Sequence, residues 1–346
     1  MAFNPRRAAI RALLSLPTPV LRGLSGGGVV HVEGRTLDPR LQFLASQARA
    51  NPPMSSLTPE QARAGSAAGL AALAGALEPG VRSHDLDIPR ADAPPIPARA
   101  YRTEDQNPAA PLLVFGHFGG GVIGDLETSH QFCGILARIA RCPVLSVDYA
   151  LAPEHRFPAG LDDMLTAWRW ARRNAQTFGA PADHVAIGGD SMGGNFAAVI
   201  AQEARRTGEP APALQLLIYP AVDLGSESPS MTTHSEDFPL TRDTMDWFMG
   251  HYMGPADSPT DPRLSPLLTR DLSGLAPAVV ITAGFDPLRD QGEDYAKRLK
   301  AAGVSVTYRC YDTLCHGFTA FVDVVPAADA ACREIATLVR DAFAAG

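Results

Sequence analysis

Cysteine is sparse in this sequence, and its spacing excludes two ways of holding a fold together. The five residues, Cys133, Cys142, Cys310, Cys315 and Cys332, are odd in number and form neither a CxxC pair nor a Cys/His pattern suited to zinc. They read as buried, reduced thiols in apolar surroundings, and no metal or cofactor is implied. Basic charge is also in deficit: 30 Lys and Arg against 37 Asp and Glu leave a net charge of -7, which argues against nucleic acid or an anionic membrane as the main partner. No run is apolar enough to span a bilayer. The longest uncharged stretch, Gln106 to Gly124, contains Pro108, Pro111 and the triplet Gly119 to Gly121. The opening MAFNPRRAAIRALLSLPTPV is not an export signal, because Arg11 and Pro17 interrupt its apolar stretch. With the unpaired thiols, this points to a cytoplasmic protein.

What is present is length and alternation. A chain of 346 residues buries roughly three quarters of its unfolded surface and needs no staple. Residues 1–80 read as a helical cap segment. Helical periodicity runs over Leu37 to Ala48, and SLTPEQARAGSAAGLAALAGAL offers Ser56 or Thr58 as a cap with Pro59 in the first turn. From residue 81 the pattern becomes short β-rich runs: VRSHDLDI, PIPARAYR, PLLVFGHF, CPVLSVDY, DHVAIGGD, ALQLLIYPAV, AVVITAGF and VSVTYRCY. Several are apolar throughout, as strands buried on both faces must be. Helical stretches follow at Leu161 to Asn174, Asn195 to Arg206, Gln291 to Ala302 and Ala327 to Ala344. Eight strands alternating with helices predict an α/β fold with a mostly parallel sheet flanked on both sides. Residues 81–223 and 276–346 form its two parts. Between them, residues 224–275 lack a strand pattern and hold the amphipathic TRDTMDWFMGHYM, in which Trp247, Phe248, Tyr252 and Met253 need a packing partner. This insertion is expected to be a lid over the site.

The chemistry concentrates in HVAIGGDSMGGNFAAVIAQEARR. Gly189, Ser191 and Gly193 form G-x-S-x-G between an apolar strand and a helix, the context in which a serine sits on a strained turn with its hydroxyl exposed. A serine hydroxyl is a weak nucleophile and needs a base, and the base needs an orienting acid. Downstream, Asp286 follows the strand AVVITAGF and His316 follows VSVTYRCYDTLC, in the order Ser, Asp, His, each where a strand of a parallel sheet ends. Asp290 competes with Asp286 but lies farther from its strand. His184, His234 and His251 lack comparable context, and Cys315, with an apolar flank and no base, reads as structural. Gly119, Gly120 and Gly121 offer backbone N–H groups for an oxyanion, with the N–H of Met192 as a further donor. The absence of GK[ST] and of a G-x-G-x-x-G turn excludes a phosphate loop.

In order along residues 80 to 323, VIGDLETSH, DYALAPEHRFPAG, GGDSMGGN, LLIYPAVD, GFDPLRDQGEDYA and CHGF resemble the bacterial hormone-sensitive-lipase-like, or family IV, esterases of the α/β-hydrolase fold. The resemblance implies an α/β-hydrolase sheet with a helical cap, Ser191 as nucleophile, His316 as base and Asp286 as acid. Glu154 and Asp190 would be structural hydrogen-bonders. Two departures stand out. The family's HGGG followed by an aromatic residue reads His117, Phe118, Gly119, Gly120, Gly121 in this chain, so the oxyanion donors fall on Gly119 and Gly120, or on Gly120 and Gly121 if the register slips by one. Ala150 stands where the family commonly has arginine.

The expected activity is hydrolysis of short- to medium-chain acyl esters through an acyl-enzyme, with Gly119, Gly120 and Met192 holding the oxyanion. The same trio would serve an amide, a carbamate or a polar acetyl ester. A non-catalytic binding protein of the same fold is the reading from another class. The partner is a small-molecule ester, and VSVTYRCY, expected at the sheet edge, could pair with a second copy in a homodimer.

Overall fold

The computed structural model describes residues 5–91 and 93–345. Eight strands form one sheet: β1 (Val81–Ile88), β2 (Ile96–Thr103), β3 (Leu112–Gly116), β4 (Val144–Val147), β5 (Val185–Asp190), β6 (Gln215–Ile218), β7 (Ala278–Phe285) and β8 (Val306–Cys315). Their order is β8-β7-β6-β5-β3-β4-β2-β1. β2 pairs antiparallel with β1 and with β4, and every other pairing is parallel. Neighbouring residues on the central strands point to opposite faces. Leu112 and Val114 of β3 join one core with Trp168 and Phe196, while Leu113 and Phe115 join a second with Phe132 and Ile335. Helices must cover both faces, which is why these strands are apolar at every position.

The covering helices, taken along the chain, are α1 (Pro5–Leu14), α2 (Thr18–Leu24), α3 (Pro39–Ala48), α4 (Pro59–Leu73), α5 (His130–Ile139), α6 (Ala159–Asn174), α7 (Met192–Thr207), α8 (Pro229–Thr233), α9 (Arg242–Tyr252), α10 (Arg289–Ala301) and α11 (Pro326–Ala345). Thr58 caps α4 in a reciprocal box with Gln61, with Pro59 at the first position. Asp38 caps α3 by accepting from the Arg40 N–H at 2.7 Å. α1, α2 and α5 carry no distinct signal of their own in the sequence. α7 starts at Met192, three residues ahead of the expected Asn195, with Gly193 and Gly194 inside its first turn. Helix-breaking residues there are tolerated for a packing reason: a Cβ on Gly193 would overlap the carbonyl oxygen of Gly116.

Between β6 and β7 the described residues form α8 and α9 and no strand. Trp247 Nε1 donates to Leu57 O at 3.2 Å, tying α9 to the segment before α4. Four cysteines are buried; Cys310 is only half-buried, its thiol 3.6 Å from Asp312 Oδ1, because it lies on edge strand β8. Among the described residues no helix is long and apolar enough to cross a membrane.

Candidate active site

Three parallel strands end at one edge of the sheet and deliver three polar side chains. β5 ends at Asp190, and Ser191 follows with φ 55° and ψ -114°, a conformation rare for a residue bearing Cβ and held only by its surroundings. Its N–H donates to Ile218 O at 2.9 Å and its carbonyl accepts from Asn195 N at 3.0 Å. The flanking glycines permit the turn, since a Cβ on Gly189 would overlap Gly193 and one on Gly193 would overlap Gly116. β7 ends at Phe285, leaving Asp286 fully buried, and β8 ends at Cys315, with His316 next. Gly317, at φ 70°, turns the chain back immediately afterwards.

The structure brings Ser191, His316 and Asp286 together. His316 Nε2 lies 2.9 Å from Ser191 Oγ, and His316 Nδ1 lies 2.9 Å from Asp286 Oδ2. The other carboxylate oxygen of Asp286 accepts the Leu288 N–H at 2.8 Å, which fixes the carboxylate plane. A proton held on Nδ1, toward the acid, would leave Nε2 to accept from the hydroxyl. Asp290 is not part of the group: it pairs with Arg289 and accepts the Ser230 N–H at 2.8 Å. His234 is turned to Asp237 at 2.6 Å, and the buried Cys315 thiol is pushed far above its ordinary pKa by desolvation, so it is no nucleophile.

The glycine loop follows β3. Gly119, Gly120 and Gly121 all have positive φ. Gly119 and Gly120 line one cavity with Phe118, Ser191, Met192 and His316, whereas Gly121 is turned away onto Tyr252. His117, at the head of the loop, is held neutral: burial pushes its pKa down to about 4. Its Nδ1 lies 2.7 Å from Phe118 O, and its ring stacks on Tyr149 at 4.3 Å. The cavity, about 1740 Å³, runs from Ser191 out between the N-terminal helices and α9. Its lining includes the apolar Leu41, Met54, Leu57 and Leu70 and the charged Asp223, Arg242 and Asp246.

Several contributors were not foreseen in their specific contacts. Asp190, fully buried beside the nucleophile, accepts from Tyr219 OH at 3.0 Å and Thr319 Oγ1 at 2.8 Å, so the turn after β5 is tied to the turn after His316. Desolvation lifts its pKa to about 6. Tyr219 in turn packs its ring 4.8 Å from the His316 ring. Arg63 of α4 donates to Val122 O at 2.8 Å and Ala152 O at 2.7 Å and pairs with Glu154 at 2.6 Å. Asp190 and Tyr219 lie in the GGDSMGGN and LLIYPAVD runs, which mark them out without saying that they meet. Beside Ala150, whose N–H donates to Asp163 at 3.0 Å, Arg90 supplies the cation that pairs with Asp163. Among the described residues no His, Cys, Asp and Glu cluster is arranged to hold a metal ion.

A mostly parallel eight-stranded sheet in this order, with a serine on the turn after its fifth strand, defines an α/β-hydrolase. A family model described as the alpha/beta hydrolase fold matches residues 113–320. Carboxylic ester hydrolase LipN of Mycobacterium tuberculosis is 43% identical over 96% of this chain and 90% of its own. Ethyl acetate hydrolase of Pseudomonas putida is 37% identical over 80% and 88%. Among solved structures, a hyperthermophilic esterase from Pyrobaculum calidifontis superposes with a TM-score of 0.82 at 39% identity, covering 88% of this chain and 98% of that one. The chain belongs to the bacterial hormone-sensitive-lipase-like, family IV, carboxylic ester hydrolases of the α/β-hydrolase fold.

Proposed function

We propose that this protein hydrolyses short- to medium-chain acyl esters, with Ser191 as nucleophile, His316 as general base and acid, and Asp286 as the group that orients the imidazole. The observation that carries this reading is the pair of 2.9 Å contacts on the two nitrogens of His316 at the foot of an open, partly apolar cavity. Ser191 Oγ attacks the ester carbonyl while its proton passes to His316 Nε2. The buried Asp286 carboxylate stabilises the imidazolium that forms. The carbonyl oxygen, now an oxyanion, is taken by the N–H groups of Gly119, Gly120 and Met192, the last of these at the positive end of α7. Gly119 and Gly120 are favoured over Gly120 and Gly121 because Gly121 does not face the cavity. As the tetrahedral intermediate collapses, His316 returns the proton to the leaving alkoxide. It then takes a proton from water as the water oxygen attacks the acyl-serine, and returns that proton to Ser191 Oγ as the second tetrahedral intermediate collapses and frees the acid.

Two softer assignments follow the same reading. Buried free thiols suit a reducing compartment, hence cytoplasm. A second copy could pair along β8, which is hydrogen-bonded to β7 on one side and meets on the other the Asp38 N–H, at Thr313 O, and the Arg35 side chain, at Asp312.

The test is hydrolysis of p-nitrophenyl esters, acetyl through dodecanoyl, by the wild type and Ser191→Ala side by side. Activity highest on the shorter chains and lost in the variant is expected. An active Ser191→Ala protein would contradict the nucleophile, and a preference for dodecanoyl would contradict the substrate range.

A further inference from the structure

The oxyanion loop of this chain contains nothing but backbone at the three positions that matter. Gly119, Gly120 and Gly121 have no side chains to pack, and glycine gives up more conformational freedom on ordering than any other residue. What fixes such a loop must press on it from outside. The Ala152 N–H does so from the core, donating to Gly121 O at 2.8 Å, and three further groups do so from the cap side of the cavity. A Cβ on Gly120 would overlap the ring of Phe248, and a Cβ on Gly121 would stand 2.6 Å from Cδ2 of Tyr252, so the two rings of α9 occupy the space where loop side chains would be. Arg63 of α4 takes the next carbonyl, Val122 O, at 2.8 Å.

Tyr252 is 1% exposed and sits in a ring cluster with Phe157 and Phe196. Its main chain is also locked in, since the Phe157 N–H donates to Tyr252 O at 2.9 Å. Its hydroxyl is buried with no hydrogen-bond partner among the described residues, which says that the ring, and not the polar tip, is what the position requires. Unlike Phe248, Tyr252 does not line the cavity. It lies behind the loop, opposite the face that meets substrate. Gly121 is also the position at which the family pattern carries its aromatic residue.

We propose that Tyr252 is a positioning residue for catalysis: its ring, supplied by the lid helix α9 from elsewhere in the chain, replaces the missing loop aromatic and wedges Gly121 so that the Gly119 and Gly120 N–H groups are aimed into the oxyanion hole. The lid thereby does more than roof the pocket. The donors are correctly aimed only while α9 is seated, so seating of the lid and competence of the hole are one event. This rests on the esterase reading above.

The experiment uses the full chain with p-nitrophenyl butyrate as substrate and a trifluoromethyl ketone as inhibitor. The ketone forms a bond from Ser191 Oγ to its carbonyl carbon as the proton moves to His316, and the new alkoxide lies in the oxyanion hole. Tyr252→Ala is expected to lower kcat by about tenfold or more while KM moves by less than about threefold, and to weaken ketone inhibition by the same factor as kcat/KM. Tyr252→Phe, which keeps the ring, restores wild-type values. Tyr252→Leu serves if the alanine variant does not fold. A purely structural role would lower the melting temperature and leave kcat and ketone inhibition unmoved, and that result overturns the proposal.

A double-mutant cycle isolates the contact. Gly121→Ala should cost several-fold more kcat in the wild type than in the Tyr252→Ala background, because the clash is gone in the second case while the strain of positive φ is common to both. Losses that simply multiply would overturn the wedge. A wild type inactive on every ester contradicts the esterase reading itself. An active wild type indifferent to Tyr252 contradicts only the wedge.

Discussion

Replacing Asp190 by Asn should make the protein more stable than the wild type at pH 8 and give no gain at pH 4. Asp190 is fully buried, and desolvation raises its pKa from 3.8 to about 6 despite hydrogen bonds from Tyr219 and Thr319. A folded-state pKa above the unfolded one means that the folded protein binds the proton more tightly, so the cost of the carboxylate is fully present above pH 6. It is relieved as pH falls from about 6 toward 4. Two units correspond to about 3 kcal/mol at pH 8. The amide keeps an oxygen for Tyr219 and Thr319. It would place its NH2 where Oδ1 already lacks a partner, which returns about 1 kcal/mol of that gain. The net expectation is about 2 kcal/mol, or about 3 °C in Tm for a chain of 346 residues. The assay is thermal or urea unfolding of both proteins at half-unit steps between pH 4 and 8. His117, whose pKa is depressed to about 4, and the half-buried Asp148, whose pKa is raised to about 6 by desolvation, titrate in both proteins and cancel in the difference. A difference that stays constant across the range, or a variant less stable at pH 8 than the wild type, would refute the burial argument.

Ser191→Ala and His316→Ala should each lower kcat by about 10⁴-fold or more, and the double variant little further, because the two act as one unit; multiplicative losses measured with p-nitrophenyl butyrate would speak against that. Gly193→Ala should destabilise the fold by at least about 3 kcal/mol, because its Cβ would overlap the Gly116 carbonyl at the crossing of β3 and α7; normal melting of the purified variant would contradict this. Arg63→Ala frees Val122 O and Ala152 O and unpairs Glu154, so a loss of about 1–2 kcal/mol is expected by urea unfolding.

The parts legible in the sequence are those in which a local pattern carries the physics. Strands buried on both faces have to be apolar throughout, so β3, β5 and β7 announced themselves as runs of Val, Ile, Leu and Phe. The fold class followed from their alternation with helices. Ser191, Asp286 and His316 could be picked because each lies directly beyond a strand, and parallel strands finish at one edge. The elbow glycines could be read from the motif, although their reason, the approach of Gly193 to Gly116, is visible only in three dimensions. What stayed hidden depends on contacts between distant segments. Arg63 meets Val122 across 59 residues, Asp190 meets Thr319 across 129, and Trp247 meets Leu57 across 190. Helix α5, flanked by the glycine loop and a short strand, offers Ser129 as its cap residue, yet that side chain makes no capping hydrogen bond. The altered glycine loop was visible as a departure, but only the position of α9 indicates what fills the space beside Gly121.

The central claim is that Ser191 is an activated nucleophile, and covalent labelling tests it most directly. Incubation with a fluorophosphonate, followed by intact mass and peptide mapping, should give one adduct per chain on the peptide that carries Ser191, with none in Ser191→Ala. Labelling of another residue, or a folded wild type left unlabelled, would contradict the account.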